Sequence, residues 1–311
     1  LKNFSRAFNT HGIDIWSPSD DPTSIFIFAV NHLPNPSYST SSNKTIPRAR
    51  SRIELFHHAV GTTEAIHLRS IWHPLIRTPN DIYARSSNEF YVTNDHYYRE
   101  GPKKLIEDIG YDLAPWTDII HISLSSLQSE DDTANITATV AIKGLHNNNG
   151  LGRGKNENEI LIADASAGKL ILAKPSPHPF LDVVDSVQLP CTIDNPSYFE
   201  DYYVKETGRD TNGYVLAGLA KAAAFPNGLD PVMVWLVQPA SRDLVGKGDV
   251  SKKRDKWSQR LLFQDGGNVI RSASTAILVA IDPKENEGRK QAWLYVTGPV
   301  AHGIVVTKVD L

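Results

Sequence analysis

Short runs of apolar, β-branched and aromatic residues recur along the whole chain, each closed by Gly, Pro, Asn, Asp or a polar cluster. They stand at residues 24–30, 52–58, 88–93, 118–123, 135–142, 159–163, 169–173, 213–219, 231–237, 275–281, 291–297 and 303–309, and each is of strand length. Helical periodicity is scarce. The clearest instance is 102–109, PKKLIEDI, where Pro102 suits a first turn, Leu105, Ile106 and Ile109 share one face, and Gly110 ends the segment. A short helix in a loop is predicted there.

Many short strands separated by turns suggest a sandwich, a barrel or a propeller. At about 40–50 residues per four-stranded blade, a chain of 311 residues would make six or seven blades, and this places a propeller ahead of a sandwich. Residues 34–47 and 240–257 are polar and read as loop insertions. Neither resembles a linker, because strand patterns resume on both sides, so one domain over 1–311 is expected.

Composition narrows the function classes. Hydrophobic residues make up 41% and charged residues 22%, an ordinary globular balance that excludes disorder as the main state. A formal net charge of −3, without a long basic run, argues against nucleic-acid binding by phosphate neutralisation. Apolar runs such as 25–30 and 276–281 fall far short of the ~20 residues that span a bilayer, so no transmembrane segment is predicted. The chain starts at Leu1 and is read as processed or trimmed. Cys191 is the only cysteine, so no disulfide closes within these residues. Asn3, Asn43 and Asn135 each open an N-x-S/T acceptor pattern, whereas Pro disqualifies Asn35 and Asn195. Glycosylation and secretion are the expectation.

The chain has no G-x-S-x-G, H-E-x-x-H or C-x-x-C, which removes sequence support for an α/β-hydrolase, a zincin protease or a cysteine zinc site. Gly150-Leu151-Gly152-Arg153-Gly154-Lys155 lacks the spacing of a phosphate loop and reads as a turn before the strand at Ile160. What remains is a set of Asn and Asp residues at expected strand ends: Asn80-Asp81, Asn94-Asp95, Asn149 and Asp194-Asn195. Their hard oxygens suit Ca²⁺, which gathers six to eight such ligands from scattered loops. Turn chemistry would place the same residue types there for backbone reasons alone. His11 and His32 stand in comparable places, and a paired imidazole of near-neutral pKa can deprotonate water. A structural or surface role is open to each.

In their order, HGI at 11–13, VNH at 30–32, NDI at 80–82, EFYVTNDHYY at 89–98, NG at 149–150 and DN at 194–195 resemble the paraoxonase and arylesterase family of secreted calcium-dependent lactonases. The resemblance implies an all-β, six-bladed β-propeller with two Ca²⁺ ions in a central tunnel. Carried over by motif, the side chains of Asn80, Asn149, Asp194 and Asn195 would hold a catalytic ion. Asp81 and the backbone carbonyl of Ile13 would hold a structural one. His11 would be the general base and His32 would tune it, with Asp95 and His96 near the tunnel. The expected partner is a small lactone or aryl ester.

Three departures qualify the resemblance. A Glu-Asp pair carried upstream by the family is not seen in these residues, its propeller-closing cysteine is absent, and a histidine of a later blade is replaced around Gly218-Leu219. A strictosidine-synthase-like or gluconolactonase-like enzyme, and a non-catalytic calcium-stabilised binding propeller, stay open as alternatives. The oligomeric state is left open.

Overall fold

In the computed structural model, which describes residues 1–40, 46–109, 113–220, 222, 225–240 and 256–311, each of the twelve predicted runs overlaps a β-strand and extends past its ends by at most one or two residues. The first sheet contains β1 (Thr10–Trp16), β2 (Ser24–Asn31), β3 (Arg52–Ala59) and β4 (Ala65–Ile71). The second contains β5 (Pro79–Ser86), β6 (Glu89–Asn94), β7 (Thr117–Leu124) and β8 (Ile136–Leu145). The third contains β9 (Asn148–Arg153), β10 (Ile160–Asp164), β11 (Lys169–Pro175) and β12 (Leu181–Gln188). The fourth contains β13 (Ser197–Phe199), β14 (Gly213–Leu219), β15 (Val232–Pro239) and β16 (Trp257–Asp265). The last has three strands, β17 (Thr275–Ala280), β18 (Gln291–Thr297) and β19 (Val305–Asp310).

In every sheet the strands lie side by side in chain order, the meander of a propeller blade. The fold is an all-β propeller, but five sheets rather than six blades occur among the described residues. The expected spacing of about 40–50 residues per blade was too short. The second sheet alone, with the insertion between β6 and β7, runs from Pro79 to Leu145.

Two compact units are distinguished. The first holds residues 1–151, 164–167 and 173–183, and the second holds 152–163, 168–172 and 184–311. The core of the first packs Phe28, Val30, Ile53 and Leu55 against Ile82, Phe90, Val92 and Ile120. In the second, Val215, Val234 and Leu236 of the fourth sheet pack with Ala276, Leu294 and Val296 of the last. Each Val, Leu, Ile and Phe side chain among these contributes about 1.5–3 kcal/mol on burial. Strands β6 and β7 are buried on both faces, so their sequences read as continuous apolar runs. The outer edge of β4 is covered by the start of the chain, where Lys2 bridges to Ile66 in parallel.

The predicted helix forms as α2, Pro102–Ile109, after the short α1, Pro36–Thr40. It sits the other way round from its apolar stripe. Leu105, Ile106 and Ile109 are exposed, and Glu107 is buried, accepting the backbone N–H groups of Tyr97 at 2.6 Å and Tyr98 at 2.9 Å. Two charge-assisted bonds to otherwise unpaired donors outweigh the apolar face in fixing this helix. The Gly150–Lys155 stretch ends β9 and turns at Gly154, whose N–H donates to Glu159 O at 2.9 Å before β10 begins. No described helix is long and apolar enough to cross a membrane.

Candidate active site and metal centre

The Asn and Asp residues singled out above do not simply end strands. Asn80 and Asp81 lie within β5 and Asn149 within β9, the strands that open the second and third sheets, while Asp194 and Asn195 come just before β13. His11 and Ile13 lie within β1, which opens the first sheet. Only Asn94 closes its strand as expected. These opening strands are irregular, with register shifts between Thr10 and Ile13 in β1 and between Pro79 and Ile82 in β5. A bulge re-aims side chains out of the regular alternation, as a site requires.

Gly12 is what lets β1 approach β5 so closely. A Cβ there would stand 2.3 Å from Asn80 O and 2.7 Å from Asp81 Oδ1, so any other residue would force the strands apart. The same contact is secured by the Ala84 N–H, which donates to Asp14 Oδ2 at 2.7 Å. Asp81 is buried, and its two oxygens accept from the N–H groups of Ile82 at 2.9 Å and Leu151 at 2.8 Å. Asn80, also buried, points its amide toward Asp95 Oδ2 at 3.4 Å. Thr93 Oγ1 donates to Asn149 O at 2.8 Å, which fixes the Asn149 backbone. Ile13 is half exposed.

Asp95 and His96 form a pair at 3.1 Å, and the far nitrogen of His96 lies 3.0 Å from Asp108. Burial raises the Asp95 carboxyl but is outweighed by hydrogen bonds from His96, Asn80 and Thr78, leaving it below the usual carboxylate range. Burial likewise lowers His96, and the bond and charge of Asp95 outweigh it, so His96 stands above the ordinary histidine value.

His11 Nδ1 lies 3.1 Å from His32 Nε2. His32 Nδ1 lies 2.7 Å from Ser51 Oγ, and Arg99 donates to the same oxygen at 2.9 Å. Burial, then the charges of His11 and Arg99, push His32 down from 6.5 to about 4 against the pull of Asp95. His32 is therefore neutral near pH 7. Behind it Asn31, fully buried, donates to Glu54 Oε1 at 3.0 Å, and Glu54 also accepts from Ser70 at 2.6 Å and bonds His67 at 2.9 Å. Ser51 and Arg99 line a cavity of about 480 Å³ walled by Trp72, Tyr97 and Tyr98. Arg50 covers the Trp72 ring at 3.8 Å and Arg77 the Tyr97 ring at 4.4 Å.

A depressed histidine has a signature in stability. The unfolded chain binds this proton near 6.5 and the folded chain only near 4, so between those values the unfolded state holds more protons. Stability is expected to fall as pH drops through that window. Urea midpoints at pH 7, 5.5 and 4.5 check this: the fall should be shallower in His32→Gln, and an identical fall in both proteins would remove His32 as a cause.

Asp194 and Asn195 belong to the second unit. Asp194 N–H donates to Ala217 O at 3.1 Å, and Asn195 bridges to Thr275, its amide donating to Thr275 Oγ1 at 3.0 Å. Gly218 lies against this segment, where a Cβ would stand 1.8 Å from Thr192 O, so no histidine side chain could be accommodated at that position. Burial pushes the Cys191 thiol up to about 11, so it stays protonated and is no nucleophile. Asn3 and Asn135 are exposed, and Asn43 lies outside the described residues.

Ser51, Arg99 and Glu54 were not foreseen. Nothing in the sequence around them marks them, since Glu54 and Ser51 become visible only as partners of Asn31 and His32, and Arg99 only through its bond to Ser51.

A sequence model of the arylesterase family matches residues 3–203. The chain belongs to the arylesterase family. Curated relatives include serum paraoxonase/arylesterase 2 of Bos taurus, 24% identical over 270 residues that make up 87% of this chain and 63% of that protein. Serum paraoxonase/lactonase 3 of Rattus norvegicus is 26% identical over 271 residues, again 87% of this chain and 63% of the relative. This arylesterase-family chain thus spans somewhat under two thirds of the relatives' length. Among solved structures, an α-L-arabinofuranosidase from Lactobacillus brevis aligns over 97% of this chain and 92% of its own, with 11% identity and a TM-score of 0.43, a likeness too loose to bear on activity.

Proposed function

We propose that the protein is a secreted, calcium-dependent hydrolase that opens lactones and cleaves aryl esters. The observation that carries this reading is the chain of contacts from His11 through His32 to Ser51 and Arg99, in a member of the arylesterase family. The candidate metal donors are all oxygens, which fits calcium: in the first unit Asn80 and Asn149 for a catalytic ion and Asp81 and the Ile13 carbonyl for a structural one, and in the second unit Asp194 and Asn195 as further oxygen donors. A calcium ion bound there would polarise the substrate carbonyl and stabilise the oxyanion.

The protein's own residues supply the proton chemistry. For His11 Nε2 to accept a proton from water, its Nδ1–H must point to His32 Nε2, and His32 must then carry its own proton on Nδ1 toward Ser51 Oγ. Ser51 has two lone pairs, so it accepts from both His32 and Arg99. The depressed basicity of His32 keeps a proton gained by the pair on His11. No covalent serine intermediate is needed. The aromatic walls of the cavity beyond Ser51 suit the apolar part of a substrate. The exposed Asn3 and Asn135 fit glycan attachment in a secreted protein.

A panel of γ- and δ-lactones and phenyl acetate, incubated with the full protein and calcium, tests the reaction class. Hydrolysis is expected for both groups. No turnover by a folded, calcium-bound protein would leave a non-catalytic binding propeller as the better reading.

A further inference from the structure

Away from the histidine pair and the oxygen donors, three side chains of the first unit converge. Glu89 opens β6, His121 lies in the middle of β7, and His178 comes from the turn between β11 and β12. Tyr91 is the direct cross-strand partner of His121 and Ser123 that of Glu89, so Glu89 and His121 are diagonal neighbours on the ladder. From the geometry we infer that Glu89, His121 and His178 form a binding site for Zn²⁺ or a similar first-row transition ion, clipping the β11–β12 turn to the β6–β7 ladder.

The distances suit such an ion. Glu89 Oε1 stands 3.0 Å from His121 Nε2 and 3.5 Å from His178 Nδ1, close to the separation of about 3.3–3.5 Å that a tetrahedral ion with bonds of ~2.0–2.2 Å imposes on its ligands. All three donor atoms fall within 4.8 Å of one another. The imidazoles meet edge to face at 88°, with centroids 4.5 Å apart, so they converge on the carboxylate instead of stacking.

The surroundings hold the ligands in place. His121 is buried against the edge of the Tyr91 ring at 5.2 Å, and the Tyr91 hydroxyl reaches Pro179 O at 3.5 Å, beside His178. The turn is closed by the Ser176 N–H, which donates to Phe180 O at 2.9 Å. His121 Nε2 donates to the Glu89 carboxylate here, and an ion at Nε2 would displace that proton, leaving the neutral ring protonated on Nδ1. For Glu89, burial is outweighed by His121, Arg85 and His178, so the carboxylate is charged. His178 is exposed and leaves a fourth position open to water.

One group opposes the ion. Arg85 donates to the same Glu89 oxygen at 2.8 Å and would have to shift to the other oxygen or into solvent, which its partial exposure permits. Two imidazole nitrogens and one carboxylate favour a borderline ion over Ca²⁺, which takes six to eight oxygens. The site is thus distinct from the calcium set.

The test is a titration of the calcium-loaded full protein with Zn²⁺ against a chromophoric chelator, repeated with Co²⁺ for its absorption spectrum. One equivalent beyond the wild-type calcium is expected, with a raised thermal midpoint and a tetrahedral Co²⁺ spectrum. His178→Ala lies in an exposed turn and should fold, yet weaken Zn²⁺ at least about tenfold. Glu89→Gln should do the same, and Arg85→Ala should bind Zn²⁺ as tightly as wild type or tighter. Equal Zn²⁺ affinity in wild type and His178→Ala, or a six-coordinate Co²⁺ spectrum, would show an ordinary histidine–carboxylate contact and overturn the site.

Discussion

Asp81→Ala is expected to lose most of the folded protein, whereas Asn149→Ala keeps the fold and loses hydrolysis. The Asp81 carboxylate is buried and satisfies the backbone N–H groups of Ile82 and Leu151, which alanine would leave without acceptors at about 1–3 kcal/mol each. Asn149 is half-buried, and its known anchor is its carbonyl, which accepts from Thr93 and survives the substitution. Asp194→Ala should behave like Asn149→Ala, because the Asp194 backbone bond to Ala217 also survives. Thermal unfolding and lactonase rate, measured on all three variants, decide the point. Equal loss of fold in the three would sink the division into structural and catalytic ligands.

His11→Gln should lower kcat by about 10²–10⁴-fold at saturating calcium, the range for loss of a general base. Ser51→Ala should have a smaller effect of the same kind, about five- to tenfold in kcat with KM nearly unchanged and a modestly lowered thermal midpoint, since His32 and Arg99 lose a shared acceptor. The kcat effect comes from loss of the acceptor that holds His32 in the required tautomer. Ser51 is thus a positioning residue. Unchanged turnover in His11→Gln would take the histidine pair out of the mechanism, and an unchanged Ser51→Ala would end its tautomer role.

The strands that were legible in the sequence are those in the middle of the sheets, together with β8 and the whole of the last sheet. Strands such as β7 and β10 are buried on both faces and read as apolar runs. The opening strands of the first four sheets were not legible. PNDIYARS of β5 and NNGLGR of β9 carry the polar residues of the site, and bulges break the alternation in β1 and β5. The patterns that mark a strand are therefore weakest where the candidate site residues lie. Asn80, Asp81 and Asn149 drew attention by residue type and by resemblance, and their position inside strands was hidden for the same reason.

Pairings across the sheets were out of reach for another reason. Ser51 meets His32, and His178 meets Glu89, through strand register and a turn that no local pattern encodes. The α2 helix shows the converse limit. Its apolar stripe was read correctly as a helix, but Glu107 decides which face is buried, because backbone N–H groups at Tyr97 and Tyr98 await an acceptor.

The most direct test of calcium-dependent hydrolysis by this protein is the initial rate of γ-lactone opening before chelation, after chelation and after return of Ca²⁺. The rate should fall to the uncatalysed level on chelation and recover with Ca²⁺, with Asn149→Ala inactive throughout. Full turnover by the chelated protein, or by Asn149→Ala, would contradict it.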